Sequence, residues 1–219
     1  MDTVSGTDTR VASRRLPWLI LIAALLLVAT AIAAWKLMPG AGGEPRPAAS
    51  QLADYGVVPD VQLTERNGHP MGLGELKGRI WVANFIFTRC AGSCPAMSSQ
   101  MQELQDSLRT VGNVLLVSFT VDPDHDTPQQ LQNYAQEYGA REGKWLFLTG
   151  TREAMQNLAK DDFHLSMQDG TDPSEPIIHS KRFVLIDRSG HIRGYYNSDE
   201  KDAKSRLLRD ITVLGEEGA

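Results

Sequence analysis

The sequence predicts an α/β domain, built on a mixed β-sheet with helices on both faces, that follows a membrane-spanning helix. Three observations support this prediction. A stretch of twenty residues without a charge, residues 16–35, occurs near the start of the chain. A glycine- and proline-rich tract, residues 39–50, comes soon after it. In residues 51–219, apolar runs of strand length alternate with segments whose apolar residues have helical spacing.

Composition excludes several classes of protein. The 219 residues are 42% hydrophobic and 22% charged, which is close to the globular average and excludes a disordered or collagen-like chain. The net charge of −5 argues against a nucleic-acid-binding protein, because such proteins need basic surfaces that neutralise phosphates. Two cysteines are too few for a disulfide-stapled scaffold or for a four-cysteine zinc site.

The uncharged stretch predicts a transmembrane anchor over residues 16–38. Twenty helical residues span about 30 Å, the thickness of the hydrocarbon core of a bilayer. Trp18 and Trp35 lie at the two ends, where interfacial aromatic residues occur. Three arginines precede the stretch, so the positive-inside rule places residues 1–15 in the cytoplasm. We therefore expect a single-pass protein of the cell (inner) membrane whose main domain faces the periplasm.

Two other interpretations of this segment stay open. Ala31-Ile32-Ala33 could be the cleavage site of a secretory signal, although the apolar region is longer than such signals usually have. Ser13-Arg14-Arg15 is similar to a twin-arginine export signal, but Pro17 stands where that signal has an apolar residue. We expect an uncleaved anchor, followed by a flexible linker over residues 39–50 that lets the domain reach away from the membrane.

The strands of the domain follow from its apolar runs. A turn at Arg66-Asn67-Gly68 predicts a hairpin. Two nearly continuous apolar runs are typical of buried central strands, and shorter runs predict further strands. In chain order, the predicted strands are 61–64, 68–73, 80–87, 114–121, 145–148, 182–187 and 191–196.

The helices alternate with these strands. Cys94-Pro95 opens the first, because proline suits the first turn of a helix and apolar residues follow at helical spacing. Asp126-Thr127-Pro128 opens the second, with Asp126 as the expected cap and Tyr138 near the end. Two further helices are predicted over residues 151–160 and 201–214.

Both cysteines lie where the first buried strand ends, in the sequence Thr88-Arg89-Cys90-Ala91-Gly92-Ser93-Cys94-Pro95. Ligands bind at this edge in open α/β sheets. A spacing of four brings the sulfurs together if the segment is helical, and a helix start favours thiolates. The pair could therefore ligate a soft metal, exchange disulfides or form a structural disulfide. A structural disulfide would stabilise the fold little, because it would close a loop of only about five residues.

Three segments together resemble the Sco/SenC family: FIFTRCAGSCPAMSSQM, VSFTVDPDHDTPQQLQNYA and HSKRFVLIDRSGHI. The resemblance runs from about Tyr55 to the last predicted helix. Family members are membrane-tethered copper-binding proteins with a thioredoxin-like fold that assist assembly of the dinuclear copper centre of cytochrome c oxidase. The resemblance thus implies a thioredoxin-like copper-binding domain over residues 51–219, with Cys90, Cys94 and His179 as the copper ligands.

The chemistry of the donors agrees with this ligand set. Two thiolates and one imidazole suit Cu(I), and Cu(II) could add a weak fourth ligand, whereas a structural zinc site prefers four protein ligands. His125 is the main rival for the third position, because its loop follows a central strand. Asp122 in the same loop could hydrogen-bond the copper loop from outside the ligand set. Met97 and Met101 are expected in the core rather than on the metal.

The predicted function is that of a metallochaperone that takes copper from a donor protein and delivers it to the copper-binding subunit of cytochrome c oxidase. Both partners are implied by the resemblance. The alternative is a thiol-disulfide reductase that uses Cys90 and Cys94 to keep the cysteines of the acceptor reduced. Two departures from thioredoxin-like exchangers count against it. The cysteine spacing is one residue longer than C-x-x-C, and Lys181 or a neighbour stands where those proteins carry a cis-proline.

Overall fold

The computed structural model describes residues 21–30, 52–111, 113–172 and 175–217. The chain divides into two units, Met1–Ser50 and Gln51–Ala219. In the first unit, residues 21–30 are helical and exposed. The rest of the predicted anchor, 16–20 and 31–38, lies outside the described residues, as do the predicted cytoplasmic segment 1–15 and the linker 39–50. Among the helices that are described, none is long and apolar enough to cross a membrane.

In the described residues of the second unit, nine strands form two sheets. They are β1 (Gln62–Glu65), β2 (Pro70–Gly72), β3 (Ile80–Ile86), β4 (Val114–Thr120), β5 (Trp145–Thr149), β6 (Met167–Asp172), β7 (Glu175–His179), β8 (Arg182–Ile186) and β9 (Ile192–Asn197). The main sheet has the order β2-β1-β5-β4-β3-β8-β9, and β6 and β7 form a separate antiparallel pair. The three central strands β3, β4 and β5 are parallel, whereas β1 and β8 run antiparallel to their central neighbours.

Four α-helices flank the main sheet: α1 (Cys94–Ser107), α2 (Pro128–Glu137), α3 (Arg152–Asn157) and α4 (Ala203–Glu217). A 3₁₀ turn covers Leu73–Leu76, and α3 continues into a π-helical turn over Leu158–Asp162. The predicted mixed α/β fold, with a central sheet flanked by helices, is confirmed. Each predicted strand and helix is present, with ends shifted by a few residues.

The centre of the core lies on β3 and β4, which are buried at every position. Trp81, Phe85, Phe119 and Phe163 form one aromatic cluster with ring centroids 5.1–6.3 Å apart. The two strands pair in parallel from Ile80 opposite Val114 to Ile86 opposite Thr120. They therefore end at the same edge of the sheet, so the segments that follow them become neighbours.

Two features differ from the sequence-based expectations. The β6–β7 hairpin was not predicted, because its strands contain few apolar residues. Asp126 does not cap α2: the cap is Thr127, whose side-chain oxygen accepts a hydrogen bond from the Gln130 N–H at 3.3 Å. Asp126 instead turns inward and is fully buried, because hydroxyl and amide donors on the ends of β3 and β4 converge on its carboxylate.

Candidate metal centre

The two cysteines stand at the start of α1, just beyond the end of β3. Cys90 follows a turn in which its N–H donates to the carbonyl of Phe87 at 3.2 Å. Cys94 is the first residue of α1, with Ser93 as the N-cap and a proline directly after it. Cys94 is fully buried, whereas 7% of Cys90 is exposed. Both carry free thiols. Of the two residues, Cys90 is therefore the more accessible to solvent.

The β6–β7 hairpin brings His179 to the cysteines. The Nε2 atom of His179 lies 3.1 Å from the Sγ atom of Cys94, and the ligand atoms of Cys90, Cys94 and His179 all lie within 4.8 Å of one another. Side chains alternate along a strand, so Ile177 shares the inward face of β7 with His179 and is buried, while Ile178 points outward and is 44% exposed. Ile177 thus holds the inner face of the hairpin against the core.

The imidazole of His179 is oriented for metal binding through Nε2. Its Nδ1 atom lies 3.1 Å from the carbonyl oxygen of Ser180. A carbonyl can only accept, so Nδ1 donates its proton to Ser180, and Nε2 is the ring atom that faces the sulfurs. Metal-binding histidines commonly donate their second N–H in this way. The ring of Phe87 packs edge-on against the imidazole at a centroid distance of 5.7 Å and restricts its rotation.

The two thiols differ in acidity. The pKa of Cys90 is lowered to about 4, mainly because the Cys94 thiol donates a hydrogen bond to its sulfur. Hydrogen bonds from His179 and from the backbone N–H groups of Cys94 and Gly92 lower this pKa further, and burial opposes the shift. The pKa of Cys94 is raised by this same hydrogen bond to Cys90 and by burial. The pair therefore holds one thiolate and one thiol near neutral pH, and a metal that takes both sulfurs must displace the remaining proton.

Asp122 contacts the residue before Cys90 rather than a proposed ligand. Its side chain is almost fully buried; Oδ2 accepts a hydrogen bond from Arg89 Nε at 2.7 Å, and Oδ1 lies 2.9 Å from His125 Nδ1. Burial alone would raise the pKa of Asp122, but the hydrogen bonds from His125 and Arg89 outweigh it and lower this pKa. His125 is bound to Asp122, its side chain is 55% exposed, and it is not a member of the ligand cluster.

Other residues considered in the sequence are placed as follows. Met97 and Met101 are buried in the core, as expected. Asp126, which the sequence suggested only as a helix cap, accepts hydrogen bonds from Thr88 and Thr120 beside the segment that leads into Cys90. The one sequence signal for these hydrogen bonds was that Asp126 lies on the loop after a central strand. In the described part of the chain, Cys90, Cys94 and His179 are the one group of three or more histidine, cysteine and carboxylate side chains that could hold a metal ion.

Comparisons with known proteins agree with the geometry. Residues 50–214 match the model of the SCO1/SenC family. A SCO1 protein homolog of Bacillus subtilis is 32% identical over 160 residues, which are 72% of this chain and 82% of the relative. A protein of Stutzerimonas stutzeri with a provisional description as copper-binding is 33% identical over 158 residues, 70% of this chain and 76% of that protein.

One similar solved structure is described as having a disulfide switch. BsSco, described as a member of the Sco family of cytochrome c oxidase assembly proteins with a disulfide switch, superposes with a TM-score of 0.66. Its sequence is 30% identical, and the match covers 74% of this chain and 95% of that one.

Proposed function

This chain belongs to the SCO1/SenC family, with its thioredoxin-like fold, and from that membership we propose that it is a metallochaperone that delivers copper to the dinuclear copper centre of cytochrome c oxidase. One observation carries the proposal: the sulfurs of Cys90 and Cys94 and the imidazole nitrogen of His179, which is 85 positions beyond Cys94, lie within 4.8 Å of one another. Copper is the cargo of this protein, held between uptake from a donor protein and release to the copper-binding subunit of the oxidase.

The residues present fit copper. Two thiolates and an imidazole are soft and intermediate donors, which suit Cu(I), and Cu(II) is accommodated with a weak fourth ligand. Cys90 is ionised before the metal arrives, because its pKa lies near 4, and Nε2 of His179 already faces the sulfurs. Little reorganisation is therefore needed for Cys90, Cys94 and His179 to bind copper. Asp122 supports the site by holding Arg89, the residue that precedes the first ligand.

Transfer proceeds by ligand exchange. Each thiolate of the acceptor replaces one ligand of this protein, so that copper is never free in solution. Cys94 is fully buried, whereas 7% of Cys90 is exposed, so we expect an incoming ligand to meet the metal on the Cys90 side. A membrane anchor over residues 16–38 keeps the domain at the cell membrane, on the periplasmic side, where the acceptor subunit is assembled.

A thiol-disulfide reductase is the second candidate function. The observation that favours it is the unequal pair of thiols, because a thiolate of low pKa next to a protonated thiol is typical of disulfide exchange. The disulfide switch described for BsSco is consistent with such chemistry. Among the described residues there is no cis peptide bond, so the cis-proline of thioredoxin-like exchangers has no counterpart before β8.

A copper titration with parallel thiol counting tests the proposal. The purified chain in detergent is prepared with the cysteines reduced and, separately, with Cys90 and Cys94 joined in a disulfide. Each form is titrated anaerobically with Cu(I), and free thiols are counted at every point. We expect one tightly bound Cu(I) per reduced chain and none per oxidised chain, because coordination needs both sulfurs as thiolates. Equal affinity of the two forms would show that these sulfurs are not the ligands.

The same preparation separates the two functions. If the reduced chain binds copper and also reduces partner disulfides in repeated turnovers, the reductase stands beside the chaperone. If it reduces disulfides but binds no copper, the reductase replaces the chaperone.

A further inference from the structure

Two carboxylates on the loop after β4 hold the two residues that precede Cys90. Asp122 accepts a hydrogen bond from Arg89, as described above. Asp126 accepts three hydrogen bonds: from the backbone N–H of Thr88 at 3.1 Å, from the Thr88 hydroxyl at 2.6 Å and from the Thr120 hydroxyl at 2.5 Å. Thr88 and Arg89 are consecutive, so both residues before Cys90 are held by hydrogen bonds to a carboxylate.

The buried carboxylate of Asp126 is compensated by hydrogen-bond donors and not by a cation. Its side chain is fully buried, and in the described part of the chain no lysine, arginine or histidine forms an ion pair with it. A carboxylate away from water and without a cation is costly unless several donors compensate it. Helix capping does not account for it either, because Thr127 caps α2. Through its hydrogen bonds, Asp126 links Thr88, just after β3, to Thr120 at the end of β4.

The segment that Asp126 fastens contacts the ligand cluster on two sides. Phe87, next to Thr88, accepts the hydrogen bond from the N–H of Cys90 through its carbonyl. The ring of Phe87 packs against the imidazole of His179. A shift of the backbone at Thr88 would therefore move the Phe87 carbonyl that binds the N–H of Cys90. It would also move the Phe87 ring that packs against His179.

We propose that Asp126 is a positioning residue for copper binding: its carboxylate fixes Thr88 and thereby holds Cys90 opposite Cys94 and His179. The inference rests on the copper-binding function proposed above and assigns that function a residue outside the ligand set.

The number of acceptors explains why a carboxylate is needed. The Thr88 N–H can only donate, and the Thr120 oxygen already accepts a hydrogen bond from the N–H of Asp122 at 3.0 Å. Asparagine has the same shape as aspartate but only one acceptor oxygen, and its NH₂ group would face these donors. Asp126→Asn therefore breaks part of the network without leaving a cavity.

The test compares Asp126→Asn with Asp124→Asn, a matched change two residues away on the same loop, where the side chain is 58% exposed. Affinity for Cu(I) is measured by competition with a chelator, and the absorption spectrum of the Cu(II) form is recorded. We expect Asp126→Asn to weaken binding about 10- to 100-fold, the usual effect of losing a residue that orients a ligand, and to shift the thiolate-to-copper bands. Asp124→Asn should change neither.

A second pair of variants keeps the test valid if Asp126→Asn folds poorly. Thr88→Val removes one of the hydroxyl donors, and Thr88→Ser retains it. The valine variant should reproduce the weaker binding and the spectral shift, and the serine variant should restore both. Wild-type affinity and an unchanged spectrum in folded Asp126→Asn, or equal behaviour of the valine and serine variants, would overturn the proposal.

A readout without copper separates this inference from the proposed function. Hydrogen exchange of the Thr88 amide reports the hydrogen bond to Asp126, and the rate at which a mild oxidant closes the Cys90–Cys94 disulfide reports how the sulfurs face each other. We expect Asp126→Asn to speed hydrogen exchange of the Thr88 amide and to change the rate of disulfide formation several-fold. Asp124→Asn should behave as the wild type in both measurements. If the wild-type chain binds no copper, the proposed function fails. If, in addition, the rate of disulfide formation in Asp126→Asn equals that of the wild type, the positioning role of Asp126 is refuted as well.

Discussion

The Sγ atom of Cys94 and the Nε2 atom of His179 are 3.1 Å apart, although 85 positions separate the two residues in the chain. The local structure of neither residue alone accounts for the contact. Cys94 is placed by the start of α1 and His179 by the end of the β6–β7 hairpin. The contact is thus a product of the whole fold, and each proposed ligand can be tested separately.

Loss of either sulfur should abolish tight copper binding. Cys90→Ala or Cys94→Ala leaves one thiolate, and a single thiolate with one imidazole is a poor site for Cu(I). The control is His125→Ala, which removes the rival histidine and should retain full binding, because His125 is outside the ligand cluster. Anaerobic titration against a chelator measures all three. Stoichiometric tight binding in the Cys90→Ala/Cys94→Ala variant would refute the site.

Removal of the imidazole should have a smaller effect. Two thiolates alone can hold Cu(I) in linear geometry, so His179→Ala should weaken Cu(I) binding by about tenfold or more, roughly 1.4 kcal/mol, without abolishing it. Bound Cu(I) should still protect the thiols from oxidants in this variant, but less well than in the wild type. The protection is followed by counting free thiols after exposure to an oxidant. Identical protection in the two proteins would exclude His179 as a ligand.

The reactivity of Cys90 should be almost independent of pH near neutrality. Its pKa is lowered to about 4, so the thiolate is fully populated above about pH 5 and is lost only as the pH falls through that value. In Cys94→Ala the main hydrogen bond that lowers this pKa is absent, so the pKa should move up towards the ordinary value. Alkylation by iodoacetamide, followed by mass spectrometry between about pH 5 and 9, should then become steeply pH-dependent in the variant. A wild-type rate that rises tenfold per pH unit across this range would contradict the prediction.

Asp122→Asn should lower stability at neutral pH. The substitution weakens the hydrogen bonds to Arg89 and His125; both partners are about half exposed, so we expect a loss of about 1–2 kcal/mol. The pKa of Asp122 is below its ordinary value of 3.8, so the stabilisation is complete above about pH 4 and is lost as the pH falls further. Urea unfolding of wild type and variant at pH 7 and near pH 3 measures this. The difference should be smaller at the lower pH, and an equal difference at both would exclude the carboxylate charge as its source.

The proposed anchor over residues 16–38 predicts a definite topology. A reporter that is active only outside the cytoplasm, fused after Ala219, should be active, because the positive-inside rule places the domain outside. The protein should also stay with membranes after a carbonate wash. Recovery of a soluble mature chain starting near Ala34 would favour the cleaved-signal interpretation instead.

The sequence was most informative where the apolar pattern is strong. Continuous apolar runs located β3 and β4, and the proline after Cys94 located the start of α1, since these signals act within a few residues. The β6–β7 hairpin was missed because its sequence lacks an alternating apolar pattern. His179 was therefore reached only through the family resemblance, and its proximity to Cys94 depends on tertiary packing.

The role of Asp126 shows the limit of local rules. Aspartate followed by Thr127 and a proline favours a cap, and both Asp126 and Thr127 are good capping residues. The choice between them was decided by donors on Thr88 and Thr120, at the ends of β3 and β4. Such a competition between a local and a tertiary hydrogen bond cannot be resolved from the local sequence alone.

The proposed ligands are divided between two sheets. Both cysteines extend from the end of β3, at the centre of the seven-stranded sheet, whereas His179 ends a hairpin that shares no strand pairing with that sheet. In the described residues, a displacement of His179 with its hairpin would therefore break no hydrogen bond of the main sheet. Under the proposed function, we expect changes at the cysteines to affect mainly how tightly copper is retained, and changes in β6–β7 to affect mainly how quickly an acceptor displaces the imidazole.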